Sequence, residues 1–230
     1  MRPVIQHRWD LSPKEAQELQ KELASRIIKE KTFAEIKAVA GIDVGFKGDE
    51  AIAAAVVLKY PEMEVLETAL ARVPVKFPYI PGLLAFREGP AVIASLEKLH
   101  IEPDVLIFDG QGLAHPRRMG IATHIGLIFD KPSIGCAKSR LWGTHYEPGL
   151  EKGSYVHLYD GDEVIGIVLR TKEKTNPLYI SIGHRIDLDS AREIILNCCK
   201  GHRLPEPTRL AHLVASGKEI SAQPRQARLF

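Results

Sequence analysis

Three runs of strand-forming residues follow one another almost without interruption, Ile36–Gly45, Ala51–Lys59 and Val65–Val75, with only Lys47-Gly48-Asp49-Glu50 at the first junction. Links this short cannot carry a crossover, so the runs must pair antiparallel. After the proline-rich Phe77-Pro78-Tyr79-Ile80-Pro81-Gly82, the apolar spacing turns helical from Leu83 to Leu99, interrupted at Gly89-Pro90. Val105–Phe108 then reads as a buried strand, Ile121–Phe129 as a helix and Ser133–Ala137 as another strand. That is a βαβ unit, which demands parallel pairing and a right-handed crossover.

The remaining elements frame this centre. Ser12-Pro13-Lys14-Glu15 carries a helix start with a capping box, and the helix should run from 12 to about Lys29. Glu163–Arg170 and Leu178–Ile182 read as a hairpin, Asp189–Cys199 and Pro207–Ala215 as closing helices, and 221–230 as a loose basic tail. At 230 residues, 45% hydrophobic, the chain can bury one large core, so one domain over 1–230 is expected, with its core over about 36–215. An antiparallel meander, a helix, then parallel strands alternating with helices is the order of the α/β, ribonuclease H-like mixed sheet, flanked by helices. In that arrangement the first strand and the strand after the first long helix are central neighbours.

Asp43 follows the apolar run ending at Ile42, and Asp109 follows Phe108, so this topology brings the two acids together. Glu88, on the intervening helix, is a third. Acids from separate segments that converge would suit one hard divalent cation, magnesium or manganese, and with it phosphodiester hydrolysis. The net charge of +2 requires that any basic surface for nucleic acid be local. His115, Arg117, Arg118, His124, Lys138 and Arg140 supply a concentration after Asp109. Three cysteines, two of them adjacent, give neither a disulfide framework nor zinc spacing, which fits a reducing cytoplasm. There is no signal-peptide core, and the longest apolar run, Ala51–Leu58, falls far short of the roughly 20 residues that span a bilayer.

Gly41-Ile42-Asp43-Val44-Gly45-Phe46, Pro78-Tyr79-Ile80-Pro81-Gly82, Phe86-Arg87-Glu88, Asp109-Gly110-Gln111-Gly112, His115-Pro116-Arg117, Gly135-Cys136-Ala137-Lys138 and Arg209-Leu210-Ala211-His212 occur in that order over about 36–215. Together they resemble endonuclease V. Cys136 stands where that family usually has a small aliphatic residue, and a buried thiol serves the same packing role. The resemblance implies a magnesium-dependent endonuclease, with manganese as substitute, that recognises inosine in DNA and nicks at the second phosphodiester bond on its 3′ side. It makes Asp43 and Asp109 the metal ligands, Glu88 a third acid, His212 the group that holds or deprotonates water, and Lys138 the phosphate partner.

It further implies a wedge at Tyr79, stiffened by Pro78 and Pro81 and shaped by Ile80, that enters the base stack. The extruded base would enter a pocket near Gly82, Gly112 and Ala137. His115 and Arg117 become further phosphate contacts, and the glycines beside Gln111 are expected to let backbone approach a phosphate. The implied protein works as a monomer on deoxyinosine-containing DNA, or on inosine in RNA. Read singly, each residue has a plainer role: turn cap for Asp43 and Asp109, exposed helix acid beside Arg87 for Glu88, loop anchor for Tyr79. Two other classes stay open: a silent nucleic-acid-binding module, which the intact acids disfavour, and a ribonuclease H-like nuclease of hybrids or junctions, which would not need the wedge.

Overall fold

The computed structural model describes residues 1–220; the tail expected over 221–230 lies outside them. One eight-stranded sheet runs in the order β3-β2-β1-β4-β5-β8-β7-β6. Strand β1 (Ala38–Lys47) pairs antiparallel with β2 (Glu50–Lys59), and β2 with β3 (Val65–Pro74), the meander expected from the short links. On its other side β1 lies parallel to β4 (Val105–Phe108), which lies parallel to β5 (Ser133–Ala137), so the βαβ unit closes around α3 (Ile121–Phe129). The hairpin of β7 (Glu163–Leu169) and β8 (Leu178–His184) joins through β8, antiparallel to β5.

Strand β6 (Tyr155–Asp160) was not legible. It is a short edge strand that buries only Leu158, and exposed Tyr155 and Tyr159 blur the contrast between its two faces.

Side-chain alternation along β1 feeds two cores. Val39 packs toward α4 (Leu188–Cys198) and α5 (Glu206–Ala215), whereas Ala40 and Ile42 pack toward α2 (Leu84–Leu96) and α3. Helix α2 runs unbroken through Gly89-Pro90, contrary to the interruption expected there. Pro90 costs a backbone hydrogen bond, but burial of Ala85, Phe86, Val92 and Leu96 outweighs it, each large apolar side chain contributing about 1.5–3 kcal/mol. Gly89 is needed for another reason: a Cβ there would lie 2.6 Å from the Trp9 ring.

Helix α1 (Pro13–Ala24) starts with the expected capping box, Ser12 N–H donating to Glu15 Oε2 at 2.8 Å, yet stops at Ala24 rather than Lys29. Its expected last turn is drawn into tertiary pairing: Ile28 N–H donates to His184 Nδ1, and the Ile28 carbonyl accepts from Arg185 N–H at 2.7 Å. No helix among the described residues is long and apolar enough to cross a membrane.

Candidate functional site

The β1–β4 pairing ends at Ile42 opposite Phe108, and the Asp109 N–H closes onto the Ile42 carbonyl at 3.1 Å. One residue further out, Asp43 and Asp109 therefore stand side by side. The plainer role of turn cap does not hold for Asp43. β1 continues to Lys47, and Asp43 is held by its register opposite Ala54, while β4 alone terminates. Only 12% of each side chain is exposed.

Glu88 arrives from α2, and with Ile42, Asp43, Phe108 and Asp109 it lines a small cavity. The plainer reading, an exposed acid paired with Arg87, does not hold. Arg87 donates to the Phe77 carbonyl at 3.0 Å and lies over the Phe46 ring. Glu88 makes no ion pair among the described residues. Burial, then the charges of Asp43 and Asp109, push its carboxyl up to about 8. Burial, then Asp109, also raises Asp43, and the His212 hydrogen bond partly offsets this.

Two further side chains complete the cluster. Lys138, just past β5, forms an ion pair with Asp109, and His212 on α5 places Nδ1 at 2.8 Å from Asp43 Oδ2. A carboxylate accepts only, so Nδ1 is the donor, and in that tautomer Nε2 is an acceptor on a half-exposed face. Helix α5 sits this close because residue 41 is glycine. A Cβ there would be 2.0 Å from the Pro207 carbonyl.

The three acids do not form a ready cage. No set of three or more His, Cys, Asp or Glu side chains among the described residues is gathered tightly enough to hold a metal ion. Lys138 and His212 each engage one of the carboxylates instead. Two adjacent carboxylates with room for water still fit magnesium, which takes one or two protein carboxylates and leaves its other positions to water and substrate phosphate. Glu88 beside them, with no ion pair among the described residues and its carboxyl raised first by burial and then by the two acids, is a third group that a cation would draw into the charged form.

Beside the acids opens a cleft of about 460 Å³, lined in part by Tyr79, Gly82, Gln111, Ala137, Lys138 and Leu141. Tyr79 is not the loop's anchor. Its side chain is 69% exposed, while Phe77 takes the buried place against Leu83 and Phe86, with Ile80 packed beside them. Pro78 and Pro81 flank it at the surface.

Gly82 adopts φ +79, which glycine alone takes easily, and turns its carbonyl to three donors: Gln20 Nε2 at 3.0 Å, His115 Nε2 at 2.9 Å and Arg117 Nη2 at 2.8 Å. His115 and Arg117 thus have a structural role at this loop, and His115 also lines the cleft. His115 is 2% exposed and burial lowers it to about 4, so it is neutral and offers no charge to a phosphate. Arg117 is further committed through Nε to Gln20 Oε1. Both brace the tyrosine loop.

Gly112 has a packing role as well. It is buried behind the cleft, where a Cβ would meet the Ile182 carbonyl at 2.1 Å, and a Cβ on Gly110 would meet Ile121 at 2.7 Å. These glycines let the loop pack closely on β8 and α3. Gln111, between them, was missed as a site residue. Its amide nitrogen donates to the Ser139 carbonyl at 2.9 Å, leaving Oε1 buried with no partner at the cleft. Its position inside the Asp109–Gly112 motif was the available signal. Gln20 had none, being an ordinary polar residue in a helix.

A sequence profile described as Endonuclease V matches residues 21–213. The chain belongs to the endonuclease V family. An Endonuclease V of Methanothrix thermoacetophila is 52% identical over 215 residues, covering 94% of this chain and 96% of that protein. The crystal structure of the Bacillus subtilis Endonuclease V matches at a TM-score of 0.90 and 34% identity over 94% of this chain and 96% of that one. Ciona intestinalis Endonuclease V, solved in complex with a 23mer DNA containing an inosine followed by a ribo-adenosine, matches at 0.79 and 28% identity, covering 90% and 98%. Membership in the endonuclease V family makes the protein a nuclease. Lys138 then joins two parts of the site, since it both pairs with Asp109 and lines the cleft.

Proposed function

We propose that the protein is a magnesium-dependent endonuclease that recognises inosine in DNA and nicks the strand at the second phosphodiester bond 3′ to it, in repair of deaminated DNA. It acts as a monomer. The observation that carries this reading is the juxtaposition of Asp43, Asp109 and Lys138 with a base-sized cleft under an exposed tyrosine. The Ciona intestinalis relative, whose bound DNA contains inosine, supports the choice of base.

Asp43 and Asp109 would hold the cation, with Glu88 orienting the water around it. The bound cation supplies Lewis-acid stabilisation of the phosphate and makes water a better nucleophile. His212 is held by Asp43 through Nδ1, so its free Nε2 takes a proton from the attacking water. Lys138, which pairs with Asp109 at the edge of the cleft, would offset charge developing on the phosphate. Ala137 and the Gly82 region wall the base.

The direct test is nicking of matched strands, DNA and RNA, each carrying one inosine, with magnesium or chelator. Cleavage of inosine-free strands at the same rate, or undiminished cleavage in chelator, overturns the reading. The ribo-adenosine beside the inosine in the Ciona complex is the reason to include RNA.

The exposed Tyr79 yields a separate expectation. A wedge favours the state in which the base has left the stack, and stacking on an aromatic ring contributes roughly 1–3 kcal/mol per base. Tyr79→Ala should therefore cut duplex cleavage by about 5- to 100-fold and spare a single-stranded inosine substrate, which needs less unstacking. Excess magnesium should not rescue the duplex. Equal losses on both substrates would remove the wedge role.

A further inference from the structure

Lys138 opens a connection that carries Leu141, Trp142 and Tyr146, exposed by 41%, 42% and 86%. Exposed apolar rings usually sit on mobile loops, but this backbone is fastened. Thr144 and Tyr159 exchange both backbone hydrogen bonds, at 2.7 and 2.9 Å, so the connection adds a short ladder to the edge strand β6. Gly143 turns at φ +88, and a Cβ there would strike the Tyr159 carbonyl at 2.7 Å, so the turn after Trp142 lies flat on that strand.

A shallow groove follows, lined by Arg140, Leu141, Trp142, Tyr159 and Asp160. Asp160, the acid in it, is neutralised: Arg118 Nη2 donates to Oδ2 at 2.6 Å, and the Trp142 indole and then Arg118 hold its carboxyl below the usual range. The groove is continuous with the cleft, because Arg140 and Leu141 line both.

We propose that Trp142 is a stacking platform for a base of the nucleic-acid strand as it leaves the cleft on the Lys138 side. This rests on the reading of the cleft as a nucleic-acid site. Three features select a single strand over a protein partner. The groove is an extension of the cleft; Arg140 in it makes no ion pair among the described residues; and the backbone beside its ring is fastened before anything binds, which lowers the ordering cost of stacking. Stacking platforms beside basic side chains bind single strands with little sequence preference. No hydrogen-bond code is required of the groove.

The chain has two tryptophans, so fluorescence can isolate this one. With chelator present to prevent cutting, an inosine-free single-stranded oligonucleotide should quench the wild-type emission. Trp142→Ala should abolish that quenching and weaken binding by roughly 5- to 100-fold. Trp142→Phe should restore most of the affinity without the signal. On an inosine strand with magnesium, Trp142→Ala should raise KM and leave kcat unchanged.

Unchanged affinity in Trp142→Ala overturns the platform. So does a fall in kcat accompanied by a lower melting temperature, which would mark a structural ring. A change in sedimentation mass with unaltered oligonucleotide binding would assign the groove to a second copy of the chain and also overturn it. Failure of the wild type to distinguish inosine strands would defeat the functional reading alone, since quenching by an inosine-free strand does not depend on base recognition.

Discussion

Asp43→Ala and Asp109→Ala are each expected to lower cleavage on the order of 10³-fold or more, because each removes one of only two carboxylates placed to share a cation. The fold should survive both changes. Asp43 loses its partner His212, which is half exposed and can turn to water, and Asp109 loses Lys138, 39% exposed and equally free to solvate. Both variants should in fact melt no lower than wild type without magnesium, since either change relieves the carboxylate repulsion that, after burial, raises the acids that remain. Inosine-strand affinity in chelator should stay near wild type, because the cleft and Tyr79 are untouched. Turnover in magnesium by either folded variant at the wild-type rate would remove the metal role from that residue. The joint variant should be no slower than the singles, as groups that act as a unit are not additive.

The second large effect is on stability and belongs to Glu88. Its carboxyl rises from an ordinary 4.5 to about 8 in the folded protein, with burial the first cause and Asp43 and Asp109 the next. Between those values the folded state binds the proton and the unfolded chain does not. Stability without magnesium is therefore greatest below about pH 4.5, as far as this group decides it, and falls as pH rises toward 8. The full shift corresponds to about 2–5 kcal/mol, the upper end applying if nothing relaxes. Glu88→Gln keeps the shape and removes the titration, so without magnesium it should be the more stable protein at pH 8 and show a flatter pH profile. Millimolar magnesium should raise the melting temperature of wild type at pH 8 more than that of Glu88→Gln, because only the wild type has the carboxylate to neutralise. A wild-type profile that is flat from pH 4.5 to 8 without magnesium would mean that Glu88 is not crowded by charge.

The two effects separate chemistry from electrostatic cost. Loss of Asp43 or Asp109 should end cutting and spare stability, whereas loss of the Glu88 charge should change stability at a pH where the protein is folded either way. Together they test whether the acids are held in one site before substrate arrives.

Much of the fold was readable locally. Linkers too short for a crossover dictated the meander, and the apolar runs Val105–Phe108 and Ser133–Ala137 flanking a helical segment dictated parallel neighbours. From these the adjacency of Asp43 and Asp109 followed, because strand pairing is periodic and a register carries its residues along with it. Element boundaries were less legible. Helix α1 ends at Ala24 because the backbone of Ile28 bonds to His184 and Arg185, partners more than a hundred positions away. β6 is short and buries only Leu158, and its outward positions carry the rings of Tyr155 and Tyr159, so its two faces differ little in apolar character.

Side-chain roles divide in the same way. Residue type and order along the chain determined by themselves which groups are chemically able to act: the acids Asp43, Glu88 and Asp109, the imidazole of His212, the ammonium of Lys138, and a tyrosine bracketed by prolines. Only the tertiary structure decided what each one faces. It turned His115 and Arg117 inward onto the Gly82 carbonyl, spent Gly110 and Gly112 on close packing, anchored the loop by Phe77 so that Tyr79 projects, and left Glu88 without a counter-charge. The physical reason is that hydrogen bonds, burial and Coulomb energy act over a few ångströms in space, while the partners involved lie tens of residues apart along the chain, where no local pattern records them.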